Sequence, residues 1–174
     1  MTRIKAGWVM LLMLTMGLAA CAGARLAAPT AANRGLIFGH VSAQRITVMT
    51  VYLHQPGHVY AVPLNNPKAR MDAQGYFLLT NAEPGRYYFA GFSDGVHNYW
   101  LADKSPADGA VEIVPGGAAI MGSFEIVPAG GNWENGRQFL LRPQARPGRD
   151  ELQRELSMRV RGTAWADRLD KLTP

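Results

Sequence analysis

Apolar and polar positions change period twice along this chain. Between residues 6 and 17 the apolar run is nearly unbroken, Ala6-Gly7-Trp8-Val9-Met10-Leu11-Leu12-Met13-Leu14-Thr15-Met16-Gly17. Residues 21–34 then hold little to bury and carry Pro29, a composition that predicts a flexible coil with a span on the order of 20 Å and no fixed structure. From Gly35 the residues fall into short runs rich in β-branched and aromatic types, separated by turn chemistry, and such runs predict strands. Leu36–Val41 is the first. Arg45–His54 is the second; Ile46 and Val48 share one parity while Val51 and Leu53 share the other, so either a bulge near Thr50 switches the face or both faces are partly buried.

Five further strands follow. Tyr60–Leu64 contains Pro63, which has no amide to donate, so it belongs at an edge. Met71–Leu79 is entered through a turn in which Gly75 takes positive φ. Glu83-Pro84-Gly85 is a tight turn opening Arg86–Phe92, and Pro115-Gly116-Gly117 reads as a hairpin between 111–114 and 120–127. Seven turn-punctuated strands predict a mainly β, antiparallel sandwich or barrel over residues 35–145. Over 146–174 the period becomes helical. Asp150 is placed to cap a helix with Gln153 three residues on, Leu152, Leu156 and Val160 recur every fourth residue, and Gly162 suits the left-handed end. Thr163 caps a second short α-helix with Trp165, Leu169 and Leu172 on one side. Two amphipathic helices must each cover an apolar surface. The sandwich is the favoured one; a partner or a membrane interface is the alternative.

The segment before the strands carries the most specific signal. Arg3 and Lys5 precede the apolar run, and Leu18-Ala19-Ala20 precedes Cys21, the only cysteine in the 174 residues. The run is shorter than the roughly 20 residues that cross a bilayer core, which disfavours a transmembrane anchor. Cleavage after Ala-x-Ala as an ordinary secretory signal leaves the cysteine without a role. A buried core helix fits neither the basic start nor the terminal position. The arrangement resembles the lipobox of bacterial lipoproteins. That resemblance implies a signal peptide over 1–20, lipid transfer to the Cys21 sulfur, cleavage before Cys21 and acylation of the new amino terminus. Ala22 after the cysteine, rather than Asp, implies by the same resemblance the outer membrane, with the body facing the periplasm. A thiol consumed by lipid leaves no disulfide and no cysteine metal site.

Composition changes this picture little. Loss of Arg3 and Lys5 would lower the net charge by two, from +5 to +3. Arg142, Arg146, Arg149, Arg154, Arg159 and Arg161 concentrate near the C-terminus; they suit anionic headgroups or acidic glycan, or simply the solvated face of a helix. The expected compartment argues against nucleic acid as a partner.

Residues from Gly35 to Phe92 resemble the carboxypeptidase-regulatory-like (prealbumin-like) domain family. The resemblance rests on Ile37-Phe38-Gly39-His40-Val41, Asp72-Ala73-Gln74-Gly75-Tyr76-Phe77 and Glu83-Pro84-Gly85-Arg86-Tyr87. It implies an Ig-like sandwich serving as an accessory, adhesive or spacer module, usually non-catalytic. These motifs are turn residues and transfer no functional residue.

Chemistry-bearing patterns are sparse. His54 and His58 are separated by Pro56-Gly57, which breaks the helix on which that spacing would suit a metal. Gly130-Gly131 is followed by Asn132-Trp133 rather than by the Lys and Ser or Thr of a phosphate loop. Ser93, Asp94 and His97 are close in sequence, but there is no nucleophile elbow. No carboxylate pair suits glycoside cleavage. The sequence therefore predicts a non-catalytic protein without cofactor or metal. In the Ser93–Trp100 stretch, Tyr99 and Trp100 with His97 form a candidate aromatic platform for a sugar ring or peptide, or they plug one end of the sandwich.

Overall fold

A computed structural model describes residues 26–56, 66–101, 109–131 and 137–173. The chain is mainly β, with two packed five-stranded sheets and a helical layer on one of them. The first sheet has the order β10-β8-β1-β4, with β9 also on β8; its strands are β1 (Gly35–Ala43), β4 (Tyr76–Ala82), β8 (Ala118–Gly130), β9 (Gln138–Pro143) and β10 (Leu172–Thr173). The second has the order β3-β2-β5-β6, with β7 also on β5, from β2 (Thr50–His54), β3 (Lys68–Arg70), β5 (Gly85–Ser93), β6 (Asn98–Trp100) and β7 (Ala110–Ile113).

A sandwich was expected and is found, but not a purely antiparallel one. β1 and β10 both run parallel to β8, while every pairing in the second sheet is antiparallel. Pro115-Gly116-Gly117 is a tight turn closed by the Gly117 amide on the Val114 carbonyl, yet it carries the chain from β7 in one sheet to β8 in the other and is not a hairpin.

Strand β1 is apolar without alternation because both its faces are covered. Ile37 and Val41 point to the second sheet; Leu36 and Phe38 point to the helical layer. On β8, Ala119 and Met121 face inward, and so do Phe124 and Ile126. A bulge against Phe38/Gly39 absorbs the parity change, with Gly122 at φ 107°. The expected switch within Arg45–His54 has another cause. Only Thr50–His54 is strand; Arg45 turns the chain at φ 63°, and Ile46 and Val48 pack on the core from a loop. The expected strand Tyr60–Leu64 lies outside the described residues.

The helical layer is α1 (Arg149–Val160) and a 3-10 helix (Ala166–Lys171), so the second element is not an α-helix. Leu152, Leu156, Val160 and Trp165 are buried against Leu36, Phe38, Ala118 and Ile120. The helix starts earlier than expected. Gly148 is its N-cap, and Glu151 reaches back to accept from the Gly148 amide at 2.8 Å. Gly162 follows in the left-handed region at φ 70°. Arg159 locks the layer to the β3–β4 turn: its guanidinium meets Asp72 at 2.5 Å and Glu155 at 2.7 Å and lies over the Tyr76 ring at 5.0 Å.

The expected free coil is tied down from Leu26 onward, which packs on the helical layer. The Ala27 carbonyl accepts from the Trp165 indole at 2.7 Å, Asn81 accepts from the Thr30 amide at 2.7 Å, and Arg34 pairs with Glu83 at 2.6 Å. Arg168 donates to the Ala32 carbonyl at 2.9 Å. Residues 26–34 form a strap rather than a coil. Composition did not show this, because most of the strap's bonds use backbone atoms, which every residue has.

Candidate functional site

The Ser93–Trp100 stretch runs from the end of β5 through a turn at residues 94–97 into β6. Asp94 Oδ1 accepts from the amides of Val96 (2.9 Å) and His97 (2.6 Å), and its Oδ2 accepts from the Tyr99 hydroxyl at 3.0 Å. The amide of His97 is the largest influence holding the Asp94 carboxyl down at about 2, helped by the Val96 amide and the Tyr99 hydroxyl. Burial, then the bond to Asp94, pushes the Tyr99 phenol up. Ser93 Oγ accepts from the Gly95 amide at 3.1 Å and donates to the His97 carbonyl at 2.8 Å. The hydroxyl is therefore directed at backbone, and the Ser93, Asp94 and His97 side chains form no relay.

The three candidate binding residues divide between two surfaces. Tyr99 is only 8% exposed and packs in the core, its ring 4.9 Å from Phe92 and 5.1 Å from Phe139. His97 stays at the turn, 3.4 Å from Asp94. Trp100, the next strand residue, points to the outer face of the second sheet, as a period of two requires. A joint Tyr99–Trp100 platform is therefore not what the structure builds.

On that outer face Trp100 has other neighbours. Its ring lies 5.2 Å from Tyr52, whose hydroxyl donates to Asn98 at 2.6 Å. Gly91 makes room beneath: a Cβ there would come within 2.9 Å of the indole. Tyr52 itself is 5% exposed, so the partly exposed edge belongs to Trp100. Exposed Lys68 is in register with Tyr52, and exposed Arg70 with Thr50. Further along, His54 and Tyr88 contact each other at 4.9 Å. Strand alternation alone would have separated Tyr99 from Trp100. The partner role of Tyr52, forty-eight residues earlier, had no local signal.

Two other surface features stand out. Val96 (80% exposed) and Met49 (53%) are apolar side chains at the same end of the sandwich, where Met49 Sδ lies over Gly95. On the outer side of α1 a shallow, open depression of about 630 Å³ is lined by Asp150, Gln153, Arg154, Ser157, Met158 and Arg161.

Cys21 and His58 lie outside the described residues. Among the described residues no group of three or more His, Cys, Asp or Glu is placed to hold a metal ion, and no helix is long and apolar enough to cross a membrane. No family model matches the sequence, and no curated protein matches it as a relative.

Proposed function

We propose that this chain is a non-catalytic lipoprotein of the bacterial outer membrane, anchored through lipid on Cys21 and facing the periplasm as a binding or assembly module. The observation that carries the reading is the basic start, apolar run and Leu18-Ala19-Ala20-Cys21 sequence ending just before the point where the chain joins the folded body. Multiple acyl chains at one residue give stable anchoring, since each buried methylene contributes about 0.8 kcal/mol. The prealbumin-like resemblance draws support from its turn motifs. Asp72 Oδ1 accepts from the Gln74 and Tyr76 amides, Gly75 sits at φ 89°, and the Tyr87 hydroxyl donates back to the Glu83 carbonyl, as tyrosine corners of Ig-like sandwiches do. Replacing Cys21 by Ser tests the anchor: the protein should lose its acyl mass and move to the soluble fraction. Equal membrane retention with no acyl mass lost would overturn the reading.

A glycan- or peptidoglycan-binding role is the second reading, favoured by the Trp100 edge beside Tyr52, with Lys68 and Arg70 on the same face. In this reading Trp100→Ala weakens retention on isolated peptidoglycan while the melting temperature stays nearly unchanged. Unchanged retention would end it.

A further inference from the structure

We infer that the helix-bearing face of the first sheet lies against the membrane, with Arg154 and Met158 of α1 and Arg161 at its C-cap resting on an anionic lipid surface. The inference rests on the lipid-anchor reading and adds an orientation and a contact surface to it.

The first argument is chain length. The strap is fixed from Leu26, and Leu26 packs on the helical layer beside the Trp165 that binds Ala27. Five Cα steps separate Cys21 from Leu26, a reach of at most about 18 Å even when fully extended. Strand β1 alone, nine residues, is about 30 Å long. An anchor on Cys21 therefore holds the helical layer near the bilayer, and the turn carrying Val96 sits at the opposite end of the sandwich.

The second argument is the helix itself. At 100° per residue, Arg154, Met158 and Arg161 fall on one stripe, opposite Leu152, Leu156 and Val160, which are buried. Met158 is 58% exposed, and both arginines are exposed. Neither arginine has an ion-pair partner among the described residues, whereas Arg159 on the same helix is paired twice. Two carboxylates, Asp150 and Glu151, border the stripe at its N-terminal end, and Glu151 accepts from the Gly148 amide. An apolar side chain flanked by two guanidiniums is suited to the headgroup boundary: the sulfur chain enters the apolar side while the cations meet phosphate.

The test uses the full-length lipidated protein in vesicles of phosphatidylglycerol and phosphatidylcholine that carry a headgroup spin label. A fluorophore is placed on one cysteine at a time, Met158→Cys, Val114→Cys near the strap, or Lys68→Cys on the second sheet. Quenching should be strong at 158 and weak at 68. Neutralising both arginines (Arg154→Gln with Arg161→Gln), or using phosphatidylcholine alone, should lower the ratio of apposed to detached bodies, on the order of thirtyfold for two lost cation contacts. Stronger quenching at 114 than at 158 would mean that the body stands on its end. Equal quenching at 158 and 68 would mean that it has no fixed orientation. An unquenched 158 would leave the stripe to a protein partner. Each of these results overturns the inference. Mass spectrometry of the N-terminal peptide separates the two readings. If Cys21 is acylated and 158 is unquenched, only the inference falls; if Cys21 carries no lipid, both do.

Discussion

Trp165 is the residue on which the strap, the helical layer and the first sheet converge, and its removal has a calculable effect. The side chain is fully buried, and its indole donates to the Ala27 carbonyl. Truncating a buried tryptophan to alanine costs about 3–5 kcal/mol in lost transfer energy and cavity. Leaving the Ala27 carbonyl without its donor adds about 1 kcal/mol. A total of about 4–6 kcal/mol is a large part of the 5–15 kcal/mol that typically stabilises a domain, so Trp165→Ala should unfold at a much lower urea concentration. Trp165→Phe keeps a ring in the core but cannot donate, and should cost about 1–3 kcal/mol. The Phe variant also isolates the strap. Amide exchange should accelerate at Thr30 and Gly116, whose N–H groups bind Asn81 and the Asn33 carbonyl, before the sheets themselves lose protection. Urea denaturation with residue-resolved hydrogen exchange measures both effects. An Ala variant within about 1 kcal/mol of wild type, or a Phe variant with unchanged exchange at both amides, would refute the role assigned to Trp165.

Two further outcomes follow from local geometry. Gly75→Ala forces a side chain onto a residue at φ 89° and places its Cβ 2.7 Å from the Val41 carbonyl oxygen, so it should destabilise by more than about 1 kcal/mol in thermal melts; a wild-type melting temperature would contradict the turn. Asp94 is held at about 2 against an ordinary 3.8, so its contribution is complete above the ordinary value and disappears as pH falls through about 2. The stability difference between wild type and Asp94→Asn should accordingly be constant from pH 7 to 5 and shrink between pH 4 and 2, and a difference independent of pH would refute the linkage.

Where sequence and structure agree, the information was local. Val51 and Leu53, or Leu152, Leu156 and Val160, advertise a buried face through their own spacing. Gly75, Gly85 and Gly162 stand where the backbone takes positive φ. The strands that sequence reading missed are short or lack a period. β3 is Lys68-Ala69-Arg70, with one inward residue, and β10 is two residues long. Parallel pairing of β1 with β8 joins residues about eighty positions apart and leaves no local mark. The candidate site divided for a simpler reason. Tyr99 and Trp100 lie in an outwardly polar stretch that reads as a loop, yet a three-residue strand sends neighbours to opposite faces, and only the distant Phe92, Phe139 and Tyr52 determine which face is core.

The parallel β1–β8 pair also determines the order in which the molecule is finished. Synthesis from the N-terminus delivers β1 early, with apolar side chains on both faces, while Ala118–Gly130, which pairs along it, arrives some eighty residues later. Pairings this far apart in sequence form slowly. The strap waits longer still, because Ala27 and Ala32 bind Trp165 and Arg168 near the opposite terminus. The N-terminal side of the described fold, made first, is thus the last to be fastened, so the first sheet stays open until Trp165 and Arg168 have been made.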